Sequence, residues 1–290
     1  MIRLTRRIVG RHLPPVVAEP IRRAIERRRS REDWEYRPAG WPDGDPSIHG
    51  WDVESILATQ LARWPAFVRS VGTAAPLGMS NEAADPGQSD LRTHNTIMSF
   101  GYVLARAARG RDGLSVLDWG GGIGHYQVYA RALLPEVELD YHCRELPLLT
   151  RGGRQVLPDA TFHDSDESAL ARRYDLVLAS GSLNYTRDWR DMLAKLAAVA
   201  GPYLYVTRLP LVETAPSFVF VQRAHRHGYL TEFPGWALNR DEFLGQTRAL
   251  GLELLREFLI AGRLIVPGAP EQMNDKRGFL FAAPSGRRTA

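Results

Sequence analysis

Residues 115–126 read SVLDWGGGIGHY. An apolar run carrying Asp118 gives way to Gly120, Gly121 and Gly122, and a fourth glycine, Gly124, follows Ile123. A short apolar run that stops at glycines reads as a buried strand entering a tight turn. The IGHYQVYARALL stretch that begins at Ile123 has helical periodicity and is halted by Pro135. Strand, glycine turn and helix form the unit of doubly wound α/β sheets, where ligands sit at the carboxyl ends of strands.

Working outward, the same alternation continues. VELDYHCRE (137–145) is a second strand, ATFHDS (160–165) a short third and YDLVLASGS (174–182) a fourth. DWRDMLAKLAAVA is a helix, PYLYVTRL a fifth strand, LELLREFLI a sixth and GFLFAA the last. The sequence therefore predicts a Rossmann-like, doubly wound seven-stranded sheet with its last strand antiparallel. Between the fifth strand and the helix RDEFLGQTRALG lies an insertion, 209–240, that reads as loop-rich. Upstream, LRTHNTIMSFGYVLARAARG (91–110) is an amphipathic helix ended by Gly110. A further helix around DVESILATQLARWPAFV lies in a Trp-, Pro- and Gly-rich accessory segment, 34–90. The expected division is a basic arm over 1–33, the accessory segment over 34–90 and the α/β domain over 91–290.

Charge and composition narrow the function classes. The net charge of +4 is unevenly spread. Residues 1–33 hold ten arginines against four carboxylates, a net of +6, which leaves 27 basic and 29 acidic residues in the rest of the chain. A body with net −2 is not a nucleic-acid binder; the arm alone is basic, and it suits a membrane surface or a protein partner. The single Cys143 excludes an internal disulfide and any multi-cysteine metal site, so no metal is expected. No apolar run approaches the ~20 residues of a membrane span. No apolar segment of about 7–15 residues follows the basic start, so a cytoplasmic protein is the expectation, with the arm read either as solvated or as a membrane-surface or partner-binding element.

The glycine turn itself selects among ligands. A phosphate loop needs a lysine after its last glycine, and here His125 and Tyr126 follow Gly124. The dinucleotide fingerprint needs a third glycine where His125 stands, which weakens, without removing, a nicotinamide-dependent oxidoreductase reading. What fits is acid-x-Gly-x-Gly-x-Gly: Asp118, Gly120, Gly122 and Gly124. Bare backbone lets a ligand approach closely, and an acid at the strand end suits a cationic group. At the tip of the second strand, Glu145 can accept both hydroxyls of a ribose, with Asp140 as its rival. Asp164, ending the third strand, is positioned for an adenine amino group, and Ser180, ending the fourth, leaves room beneath a ligand.

The motif resembles that of the class I S-adenosylmethionine-dependent methyltransferases. With VLDWGGGIGHY, CRELP, DLVLASGSLNYTRDW and FPGWALNRDEFL in this order, residues 110–283 are similar to a bacterial family of such enzymes often found among surface-polysaccharide genes. The resemblance implies S-adenosylmethionine as cofactor. It implies that Asp118, Gly120, Gly122 and Gly124 hold the methionine part, Glu145 the ribose and Asp164 the adenine. It implies an acceptor much less well. O-methylation of a sugar, glycan or secondary metabolite leads; N- or C-methylation of a small molecule and a non-catalytic S-adenosylmethionine-binding partner protein remain open. For a hydroxyl acceptor a base is needed. His225 and His227, two apart in the insertion, are the candidates, with Tyr185 beside the fourth strand to orient the acceptor. Surface roles for the two histidines, or a metal pair without a third ligand, stay open. The insertion, with Tyr229, Phe233 and Trp236, is read as the acceptor lid, and Arg208, just before it, suits an acidic acceptor.

Overall fold

The computed structural model describes residues 33–78 and 90–284. All but the last residue of the expected basic arm therefore lies outside the described residues.

β1 (Trp34–Arg37) and α1 (Glu54–Val71) come first, then α2 (Leu91–Ala108), whose first turn is capped by the Asp90 carboxylate accepting from the Thr93 amide. The α/β unit follows as β2 (Gly113–Trp119), α3 (His125–Leu133), β3 (Glu138–Arg144), α4 (Pro147–Val156), β4 (Thr161–His163), α5 (Asp166–Ala169), β5 (Tyr174–Ser180) and α6 (Trp189–Val199). It ends with β6 (Ala200–Val212), β7 (Phe218–Arg223), β8 (Glu232–Asn239), α7 (Arg240–Ala249), β9 (Glu253–Leu259) and β10 (Lys276–Ala282). Strands β4, β3, β2, β5 and β6 lie side by side in that order, all parallel; β10 joins β6 antiparallel and carries β9 at the far edge. This is the expected seven-stranded sheet with its last strand reversed.

The sheet is buried on both sides because its strands alternate between two apolar cores. Val116, Leu176 and Leu178 enter one core, shared with Phe67, Phe100 and Tyr129 of the helices α1 to α3. Leu117, Val177 and Ala179 enter the other, against Trp189, Leu193 and Phe243 of α6 and α7. Continuous apolar runs are what a parallel strand covered on both faces requires. Cys143 is fully buried in the first core, as a structural thiol should be.

One departure from the sequence reading matters for function. Residues 209–240 are not loop-rich: β7 and β8 form an antiparallel hairpin, and β1 from the accessory segment adds to its outer edge. β6 overruns the sheet to pair Leu211 and Val212 with Leu238 and Asn239 of β8. The run FVFVQR is strand-forming by composition, and its apolar residues bury against Trp34 and Tyr36 of β1.

Candidate active site

After Trp119 the chain turns through Gly120, Gly122 and Gly124, all at positive φ (76°, 62° and 94°). Side chains rarely tolerate that backbone. Between them Gly121 is excluded from substitution by proximity: a Cβ there would lie 2.3 Å from Asp118 Oδ2 and 2.8 Å from Cys143 Sγ. The turn is thus packed directly on Asp118, which is fully buried. One Asp118 oxygen accepts from the Tyr141 hydroxyl, and the other has no hydrogen-bond partner among the described residues. Burial, reinforced by the Glu145 charge and opposed by the Tyr141 hydroxyl, pushes this carboxyl up to about 7.

Glu145 follows β3 and faces the turn. Its Oε2 accepts from the Gly122 amide at 2.9 Å and its Oε1 from the Leu146 amide at 2.8 Å. Burial raises its pKa against those two bonds. Each oxygen keeps a second acceptor site, so the carboxylate buttresses the turn and can still receive a pair of hydroxyls. The rival Asp140 is turned away, ion-paired to His142 and to Arg172.

A cavity of about 460 Å³ opens over the carboxyl ends of β2, β3, β5 and β6. Gly120, Gly122, Glu145, Ser180, Tyr185 and His227 belong to its wall. Several expected residues do not. Asp118 lies beneath the turn rather than in the cavity, so it can act on a ligand only through the intervening backbone. Gly124 faces Leu157 and Phe162, where its bareness serves helix packing. Asp164 is engaged by the Thr150 hydroxyl and by Arg154 at 2.9 Å, because β4 stops at His163 and the chain then swings toward α4. On this side of the cavity the wall includes Leu146, Leu149 and Asp166. His225 is half exposed and bonded through Nε2 to Glu232 at 2.8 Å, on the outside of the hairpin. Tyr185 meets the stacked pair Trp51 and Phe233 edge-on, and its hydroxyl donates to Gln222.

Two wall residues escaped the sequence reading. Gln60 is the one polar residue on the buried face of α1, which otherwise presents Ile56, Leu57, Trp64, Phe67 and Val71. Its Oε1 stands 3.3 Å from where a Gly122 Cβ would be. Asn184 follows β5 and is equally buried. Neither the Gln60 nor the Asn184 side-chain oxygen has a partner among the described residues, and both residues line the cavity. A buried acceptor without a donor is costly, so both oxygens await a ligand that brings N–H or cationic groups.

A family model described as methyltransferase domain matches residues 96–243. The chain belongs to this family. The methyltransferase is similar in structure to the magnesium protoporphyrin IX methyltransferase of Synechocystis PCC 6803, with 14% identity, 80% of this chain and 97% of that one covered, and a TM-score of 0.45. It is similar also to the 1,6-didemethyltoxoflavin-N1-methyltransferase of Burkholderia thailandensis, at 16% identity, 86% and 99% coverage and a TM-score of 0.45. Both of those structures contain S-adenosylhomocysteine. No curated protein matches the chain.

The methyltransferase takes S-adenosylmethionine as methyl donor, and its residues fit that molecule. The glycine turn offers close backbone approach, the Glu145 carboxylate suits ribose hydroxyls, and the Gln60 and Asn184 oxygens suit an ammonium. Among the described residues no group of three or more His, Cys, Asp and Glu is arranged to hold a metal, and no helix is long and apolar enough to cross a membrane.

Proposed function

We propose that this methyltransferase methylates a hydroxyl of a sugar, glycan or secondary metabolite, with His227 as the base. The supporting observation is that His227 and Tyr185 both line the cavity, as do Gln222 and Phe233 of the hairpin β7–β8. When bound, S-adenosylmethionine supplies an electrophilic methyl that leaves sulfur as the acceptor oxygen attacks. His227 takes the proton of that hydroxyl, which raises its nucleophilicity at the moment of attack. Tyr185, braced by Gln222 and packed edge-on against Trp51 and Phe233, fixes the acceptor's approach; alignment at about 3–3.5 Å supplies much of the acceleration. The segment 209–240 then serves as the acceptor wall, and Gln60 of α1, with Trp51 before it, closes the cofactor side. A bacterial surface-polysaccharide setting agrees with a sugar acceptor, and the basic arm would bring the enzyme to an anionic membrane surface.

The test compares His227→Ala with His225→Ala in turnover against a panel of hydroxyl acceptors. His227→Ala should lose roughly 10²–10⁴ in rate, the range of acid–base help, while binding S-adenosylhomocysteine normally. His225→Ala should retain full rate. Equal rates in both variants would remove the histidine and leave Tyr185 or a bound water as proton acceptor.

A further inference from the structure

Three non-glycine residues among those described have positive φ, and only Arg208 (φ 61°) lies inside a strand. Left-handed backbone costs a side-chain-bearing residue about 1–2 kcal/mol, and such strain collects where function needs a side chain re-aimed. The cause is a β-bulge. On β10, Arg277 pairs with Leu209 and Phe279 with Val206, so Gly278 alone opposes both Thr207 and Arg208. A Cβ at Gly278 would strike Thr207 Oγ1 at 2.6 Å, so the partner strand must be bare here. A second glycine, Gly181 after β5, lets the Arg208 Nε and Cζ come within 3.3 and 3.4 Å of the space a Cβ would fill. Bulge, strain and two glycines together aim one guanidinium over the end of β5 and into the cavity, beside Tyr126.

The charges along the cavity separate by strand. Its two lining carboxylates, Glu145 and Asp166, stand on the β3–β4 side, and Asp166 is taken up by Arg144 and the Trp119 indole. On the other side Arg208 of β6 and Lys276 of β10 line the wall, with Arg92 of α2 beside the same cavity. Adjacent strands are about 4.8 Å apart. The Arg208 backbone, two strands beyond β2, is therefore roughly 10 Å from the glycine turn, while its guanidinium reaches back over Gly181, whose neighbour Ser182 packs against Gly120.

We infer that the acceptor is an anion, whose carboxylate or phosphate is seated on the Arg208 guanidinium over the end of β5, in a part of the cavity that Lys276 also lines. A planar guanidinium held by backbone geometry is suited to bidentate recognition of such groups. This inference rests on the methyltransferase reading and adds the class of acceptor to it.

The experiment titrates the full-length, S-adenosylhomocysteine-saturated enzyme with glucuronate, glucose 1-phosphate and glucose by calorimetry. At least one acid should bind ten- to hundredfold more tightly than glucose, the span expected of a hydrogen bond to a charged group. Preference for glucuronate alone assigns a carboxylate, and for glucose 1-phosphate alone a phosphate. Arg208→Gly, which suits the positive φ, should erase the preference while S-adenosylhomocysteine affinity holds and the melting temperature does not fall; Arg208→Asn, also tolerant of this backbone, is the second variant. Acids that behave like glucose in the wild type, or variants that keep the preference, overturn the inference. So does a variant that loses S-adenosylhomocysteine instead, since the guanidinium would then belong to the cofactor. Wild type that fails to bind S-adenosylhomocysteine counts against the methyltransferase reading itself.

Discussion

Replacing Asp118 with asparagine removes a charge that the fold keeps out of water. The carboxyl is fully buried under the glycine turn, and its pKa rises to about 7 from the ordinary 3.8. At about 1.4 kcal/mol per tenfold change in proton affinity, that rise is worth on the order of 4 kcal/mol. Because the folded value is raised, the favourable contribution is complete below pH ~4 and is lost as pH climbs through 7. The wild type should therefore lose stability between pH 5 and 8, and Asp118→Asn should not lose that part. The asparagine amide also places a donor against the turn, which adds an offset that does not vary with pH. Glu145 titrates in both proteins, and the comparison reads its coupling to Asp118 together with the burial of Asp118. Urea denaturation of both at pH 5, 6, 7 and 8 gives the difference directly: the variant should gain roughly 2–4 kcal/mol relative to wild type across the range. A gap that stays constant, or that narrows as pH rises, would refute the claim that burial governs this carboxyl.

Glu145→Ala should weaken S-adenosylhomocysteine binding by about 1.5–3 kcal/mol in calorimetry and also lower the melting temperature, since it removes the acceptor of the Gly122 amide. Asp140→Ala should leave that affinity alone; the reverse pattern transfers the ribose to Asp140. Gly153→Ala places a methyl 2.2 Å from Phe162 Cε1 and should cost about 1–3 kcal/mol of overpacking, read as a fall in the denaturation midpoint. Arg208→Gly should raise stability by about 1–2 kcal/mol, because glycine relieves the left-handed backbone, and an unchanged or lower midpoint would show that the bulge is not strained.

The sheet was legible because its strands obey local rules. Leu117 and Val177 must be apolar on a strand covered from both faces, and Gly120 and Gly122 must be glycine where φ is positive. Glu145 was legible because the strand β3 delivers it at a tip before Pro147. Asp118 announced itself as a ligand acid, yet its burial follows from how tightly Gly121 sits on it, a distance no spacing encodes. Asp164 could be placed at a strand end from the sequence, but that its carboxylate is held by Thr150 and Arg154 rather than lining the cavity depends on contacts with α4 that no spacing encodes. Gln60 was hidden because a polar residue on an amphipathic helix looks like surface until the helix is docked. Arg208 was noticed as a cation, but its bulge depends on register with Gly278, seventy positions away in the chain. His225 and His227 share one short turn, and only the hairpin's orientation separates them.

The accessory segment is made early and finished late. The Thr231 hydroxyl holds the Gly50 carbonyl across 181 positions of sequence, and Trp51 stacks on Phe233 at 3.8 Å between ring centroids. A ribosome adding roughly 5–20 residues per second needs about 10–40 s to cover that interval. For that time β1 has no strand to pair with, and the apolar face of α1 waits for the helices and hairpin that will cover it. Such long-range closure slows folding, and it gives any chaperone a defined client: a nascent chain in which α1 has been synthesised and the hairpin that covers it has not.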